Sequence, residues 1–427
     1  MSYDALKDFH AKHYHPSNSK FYTYGNFPLE GHLEAIDKVI CSFDANPLLS
    51  KLSVVPNQQH WSKPVHEKLV CQFDPLAPYV DKQTTLGVAF LLKSITDTHE
   101  NFTLSILCSL LIDGPSSPFY ETLLNSSFGS DYSPFSGYHK FTKQTLFSIG
   151  VQGIAKNQVS SVLKAIKMTF KDAYDEGFPR ERVDAILHRI ELGIKHQNSS
   201  FGLGLAMNIN SYWNHDVDPI ECLQVCYVLM IYKCNNNLIL NSQVNKHLEH
   251  FKQSLESDPK FLQKKVKQYF LDNPHQLIIE MSPFEKYEQK LQEAEKQLLD
   301  EKIGSLTDSN RSNIIENGKL LLNAQDAQED VSILPTLTVK DISRSFKKTT
   351  IEKVNIEGVP VQYSAQPTNG IVYFNGVIQL KGETFPKKLI PYLPLFTHVL
   401  TKLGAGPWDK KKLDQEIQVG KNYRCDD

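Results

Sequence analysis

The feature that most restricts this chain is a repeated switch between two hydrophobic periods. Residues 145–154 (Thr-Leu-Phe-Ser-Ile-Gly-Val-Gln-Gly-Ile) alternate as a half-buried strand does. Immediately afterwards Val159, Leu163, Ile166, Phe170 and Ala173 fall on one helical stripe. A second helix is expected from Pro179, with Val183, Ile186, Leu187, Ile190 and Ile194 on one face and the run Asn198-Ser-Ser-Phe-Gly202 ending it. Upstream, 84–92 reads as a strand and 101–112 as an apolar helix stopped at Asp113-Gly114-Pro115, with another helix starting at 118–124. Strands that alternate, joined by helix pairs, predict an α+β domain with an antiparallel sheet covered by helices.

Other stretches flank this domain. A helix over 3–14 must stop at His15-Pro16, because a residue before proline avoids the α region. The aromatic alternation of 21–27 predicts a strand, and Pro28 opens a helix to about Phe43. Residues 47–68, with Pro47, Pro56 and Pro64, read as a connector without periodicity. Residues 285–303 and 310–328 are charged and helix-favouring, and predict a helical hairpin. Strands are expected at 359–363, 370–374 and 377–380, then a helix over 389–403, and the tail 409–427 lacks a core pattern and is expected to be loose.

Charge narrows the partners. The 46 basic residues nearly cancel the 48 acidic ones, so no global field draws the chain to nucleic acid or to an anionic membrane. The longest apolar stretch, 222–232, is too short for a membrane helix. The amino terminus has no apolar run, so neither a secretory signal nor a targeting peptide is expected there. The seven cysteines, at 41, 71, 108, 222, 226, 234 and 425, are odd in number and contain no CxxC pair, which suits a reducing compartment and small buried thiols.

The search for chemistry returns decoys. A zinc peptidase needs two helix-borne histidines, a carboxylate to deprotonate the metal-bound water, and a third ligand. Neither HExxH nor HxxEH occurs, since His66-Glu67 and His99-Glu100 lack a second histidine at the right distance. His247-Leu-Glu-His250 is the nearest pattern, one residue short between histidine and glutamate. His10, His13 and His15 cluster as surface or capping histidines, without a carboxylate set. Residues 114–118 are no Gly-x-Ser-x-Gly elbow, and the glycines at 129 and at 202 and 204 read as turns rather than phosphate cradles. No catalytic, cofactor-binding or metal-ligating residue is assigned.

Several long phrases resemble the presequence-degrading branch of the pitrilysin-type zinc metalloendopeptidases. They are Phe9-His-Ala-Lys-His-Tyr-His-Pro-Ser-Asn18, Phe21-Tyr-Thr-Tyr-Gly-Asn-Phe-Pro-Leu-Glu30, Gly114-Pro-Ser-Ser-Pro-Phe-Tyr120, Lys195-His-Gln-Asn-Ser-Ser-Phe-Gly202, Trp213-Asn-His-Asp216, 259–270 and 361–370. The resemblance implies repeated α/β domains closing a chamber around unfolded peptides. Residues 1–46 would end a first, catalytic domain, 47–69 connect it, and 70–283 form a second, non-catalytic chamber wall. Residues 284–330 would be the hairpin linker and 331–427 the truncated start of a third domain.

Zinc is implied by that resemblance alone, with no ligand carried over onto this chain. The implied partners are presequences and other unfolded peptides, the implied location the mitochondrial matrix, and the chain is expected to be monomeric. Two departures are expected: an insertion over 225–249, and an end to the resemblance after Leu403-Gly404. The chain itself is expected to be inactive, serving as a peptide-binding module, a structural scaffold, or an incomplete product without retained function.

Overall fold

The computed structural model describes residues 2–126, 128–196, 198–220, 244–327, 331–334, 336–345, 348–380, 385–400 and 402–420. Two compact units divide the chain: Met1–Pro283 together with Asn369–Asp427, and Phe284–Thr368. The expected insertion at 225–249 lies outside the described residues up to 243.

The larger unit begins with α1 (Tyr3–His13), whose first turn is capped by the Ser2 hydroxyl accepting from the Ala5 N–H. After α2 (Leu29–Ile40), Asn46 caps α3 (Pro47–Leu52). The strand expected over 21–27 is not one: residues 21–24 lie outside any ladder. Their aromatic rings serve packing instead, with the Tyr24 ring 6.2 Å from Phe201 and the Tyr22 hydroxyl donating to the Gly202 carbonyl. The connector expected over 47–68 holds α3 and the start of β1 (Val65–Gln72), a mostly exposed strand with no alternation for a sequence pattern to catch.

The centre of this unit runs β2 (Thr84–Ser94), α4 (Thr98–Ile112), a π-helical turn (Tyr120–Asn125), β3 (Asp131–Tyr132), β4 (Gly137–His139) and β5 (Gln144–Ile154). It continues through α5 (Val159–Glu176), α6 (Arg180–Lys195), α7 (Phe201–Trp213), α8 (Val244–Ser257), α9 (Phe261–Val266) with a π-helical turn at Lys267–Leu271, and β6 (Gln276–Phe284). Sheet order is β1-β6-β2-β5-β3, with β4 also on β5. β2 is antiparallel to both β5 and β6.

Period-2 alternation puts the core on one face. Leu86, Val88 and Phe90 of β2 lie directly opposite Val151, Ile149 and Phe147 of β5, and all six are buried. Phe170 of α5 stacks at 4.6 Å on Phe270 and meets Phe90 edge-on at 5.4 Å and Phe119 at 4.9 Å. Gly150 sits where the two strands approach closely: a Cβ there would collide with the Leu86 carbonyl oxygen.

The carboxy-terminal part of this unit departs from expectation. Residues 370–374 and 377–380 form no strand, and the helix expected over 389–403 is a 3-10 turn (Lys387–Tyr392) followed by α12 (Leu393–Val399). Pro391 and Pro394 remove the amide donors that a continuous helix would need. The tail expected to be loose carries α13 (Lys410–Gly420). Leu413 is buried, Lys411 pairs with Glu121 at 3.2 Å, and Ser116 donates to Asp414.

The smaller unit holds the expected hairpin, α10 (Tyr287–Gly304) and α11 (Asp308–Asp326), the latter capped by the Thr307 hydroxyl. Neither helix has a buried residue. β7 (Glu352–Ile356) and β8 (Val359–Tyr363) pair through Glu357-Gly358, both at positive φ, the signature of a tight hairpin turn.

Phe170→Ala should cost about 3–5 kcal/mol, because the cavity it leaves is ringed by aromatic side chains that cannot collapse into it. Urea unfolding of the two proteins side by side measures it, and a loss under about 1 kcal/mol would mean that the ring cluster does not hold the sheet to its helices.

Candidate functional site

The densest group of titratable side chains gathers where α4 begins against α8. Asp97 caps α4 by accepting the Glu100 N–H, which sets His99 and Glu100 in the first turn. α8 brings His247 and His250, three residues apart and therefore on one side of the helix. The Nδ1 atoms of His99 and His247 stand 2.6 Å apart, and the His250 ring centroid is 5.0 Å from that of His99. His247 is buried beside Phe102.

Burial, followed by the neighbouring His99 and His250, depresses the His247 pKa to about 4. His99 is lowered as well, by burial first and then by His250, with Asp97 opposing. Two neutral imidazoles in contact share one proton, one Nδ1–H donating to the other Nδ1. The adjacent carboxylate is committed elsewhere: Glu100 accepts from Lys265 Nζ at 2.6 and 2.8 Å and from the Tyr269 hydroxyl at 2.6 Å. Glu249, the acid inside the His247–His250 pattern, is exposed.

This donor set does not fit zinc. Two nitrogens bound at 2.0–2.1 Å in a tetrahedral shell stand roughly 3.3 Å apart, so a 2.6 Å contact leaves no place for an ion between them. Among the described residues no group of three or more His, Cys, Asp or Glu side chains is arranged to hold a metal. The arrangement supports a helix-to-helix clasp of hydrogen bonds and an ion pair. The sequence pattern found His247 and His250 and missed His99 as their partner, since nothing local signals a contact across 148 residues.

The remaining motifs take structural positions. His15 Nδ1 accepts from the Ser17 N–H, a capping histidine, while His10 stacks on Tyr14 and His13 meets the Ser53 hydroxyl at 3.1 Å. The 114–118 turn is tied down by Arg182, which donates to the Asp113 carbonyl and to the Ser116 hydroxyl. Gly202 and Gly204, read as a turn, lie inside α7, where a Cβ at Gly202 would strike the Tyr24 ring. Cys41 is exposed, Cys71 half-buried and Cys108 buried, while Cys222, Cys226, Cys234 and Cys425 lie outside the described residues. Among the described residues no helix is long and apolar enough to cross a membrane.

Comparison with known proteins gives these elements relatives. Residues 1–190 match the family described as "Peptidase M16 inactive domain", and residues 281–420 match the one described as associated with subfamily C of the M16 peptidases. The second match continues past Leu403-Gly404, so the resemblance does not end there. The chain is 43% identical over 421 residues to "Presequence protease, mitochondrial" of Mus musculus, covering 98% of this chain and 38% of that relative. The protein of the same name from Xenopus laevis is 41% identical, covering 98% of this chain and 39% of the relative. That of Yarrowia lipolytica is 34% identical over 98% of this chain and 40% of the relative. The chain thus spans about two fifths of the length of the curated relatives it matches.

The buried histidine pair has a pH consequence. Its ordinary value of 6.5 applies to the unfolded chain, whereas folded His247 stays neutral to about 4, so stability present above pH 6.5 drains away as pH falls through that window and levels off below it. His247→Phe, which suits the neighbouring Phe102 and Phe251 rings, should flatten the fall in melting temperature between pH 6.5 and 4. An unchanged slope would place the acid sensitivity in other groups.

Proposed function

Because the chain belongs to the M16 peptidases, in the presequence-protease branch, we propose that it is a peptide-retaining wall of such a protease and does not itself cut peptides. The observation that carries this reading is the match of residues 1–190 to a domain described as inactive. It is supported by the donor set at α4 and α8, which is closed by hydrogen bonds rather than opened around an ion. A metallopeptidase must polarise a carbonyl and activate a water on the same metal. No step of hydrolysis is therefore assigned to the described residues, and zinc stays a property of the branch.

On this reading residues 70–283 are the chamber wall, 284–330 the hairpin linker, and 1–46 and 331–427 parts of neighbouring domains. Extended peptides would lie along β1, an edge strand whose Leu69 and Val70 are each 48% exposed. An edge strand offers backbone donors and acceptors to any extended chain, so recognition would depend on unfolded backbone more than on sequence. Presequences and other short unstructured peptides are the substrate class that the relatives' name suggests, and we extend their mitochondrial location, in the matrix, to this chain.

The test is a fluorogenic presequence-like peptide incubated with the purified chain, with zinc, without it and with a chelator, while anisotropy follows retention. Retention without chelator-sensitive turnover is expected. Turnover that a chelator abolishes would overturn the non-catalytic assignment, and absence of retention would remove the wall.

A further inference from the structure

A second polar feature lies away from the histidine clasp. A cavity of about 430 Å³ opens among the end of α1, the connector after α3, the approach to β5 and the turn after α7. Its walls present the ammonium groups of Lys20 and Lys143, the imidazoles of His13 and His215, and the carboxylate of Asp216. Val54 and Val55 add an apolar strip.

The charges are unbalanced. Lys20 donates to the Trp213 carbonyl and rests 5.3 Å from the Trp213 ring centroid, while Lys143 donates to the Val55 carbonyl. An ammonium carries three N–H donors, so each lysine keeps two after its bond to a neutral acceptor. Two cations thus face the lining's carboxylate, Asp216. The excess is felt at His215, whose pKa is lowered by burial first and then by Lys143, with Asp216 opposing and Lys20 adding to the fall. Lys20 is also lowered, by burial against the pull of Asp216.

Asp216 is itself held in an uncommon way. Its φ of 64° is left-handed, which costs a residue with a Cβ, and the turn that imposes it is closed by the Asp216 N–H to Trp213 O at 3.3 Å and the Val217 N–H to Tyr212 O at 3.2 Å. That turn places a carboxylate beside two lysines without pairing it off at contact distance. A cavity of this volume is within the range of small-ligand sites.

We propose that this cavity binds a short zwitterionic peptide, with its C-terminal carboxylate held by Lys20 and Lys143, its α-ammonium by Asp216, and a small side chain against Val54 and Val55. Two cations and one anion match the ends of such a ligand, whereas a simple anion would leave Asp216 repelling it. The choice of a peptide over another zwitterion rests on the peptide-handling role proposed above.

Titration calorimetry of the full chain with alanyl-valine tests this, alongside its C-terminal amide, N-acetyl-alanyl-valine and inorganic phosphate. Saturable binding of alanyl-valine is expected, with the amide weaker by about tenfold. Lys143→Met should abolish that difference, and Lys20→Met should do the same if the first variant melts early. Asp216→Asn, which keeps a residue tolerant of left-handed backbone, should weaken the free dipeptide about fivefold and leave the acetylated one unchanged. No saturable binding, an amide that binds equally, or phosphate binding as tightly as the dipeptide would overturn the site. A chain that retains long presequence-like peptides but ignores alanyl-valine loses this pocket and keeps the wall. The converse result removes the wall and leaves the pocket.

Discussion

Everything in the larger unit depends on β2 being paired on both sides. Its buried residues meet those of β5 directly across the ladder, while β6 closes its other edge. That pairing fixes one apolar face, and the face fixes where α4, α5 and the Phe261–Leu271 segment must lie. The Phe90, Phe119, Phe147, Phe170 and Phe270 rings then lock helices to sheet in edge and stacked geometries. Gly150 permits the approach, since any side chain there would collide with the backbone of β2.

How much of this is legible in the sequence depends on local periodicity. β2, β5, α4, α5 and α6 carry strong alternation or a single apolar stripe, and they stand within a few residues of where the pattern puts them. β1 is exposed along most of its length and has no such pattern. Residues 21–27 show the opposite failure: their aromatic alternation has the look of a strand, but the rings pack on α7 and no partner strand is present among the described residues. In 389–403 two prolines divide what composition alone reads as one helix.

The polar features are less legible, for a different reason. His247 and His250 stand in one sequence pattern, but the contact that decides their chemistry comes from His99, and the carboxylate beside it is claimed by Lys265 and Tyr269. The cavity beside Asp216 gathers residues from four separate segments, none of which forms a motif. Spacing reports what one helix face offers, whereas burial and long-range partners decide which donors stay available. The wall reading and the pocket reading use different surfaces, and each stands on its own contacts.

The strand order also governs how the chain can be assembled. β6, at Gln276–Phe284, is inserted between β1 and β2, both of which emerge far earlier in any N-to-C synthesis or translocation. Until it arrives, β1 has no neighbour and β2 presents an open edge of alternating apolar residues. Contacts of such sequence separation form slowly, and unpaired edges recruit other chains. A protein built this way depends during its emergence on whatever shields that edge, so the demand for chaperoning is written into the position of its last central strand.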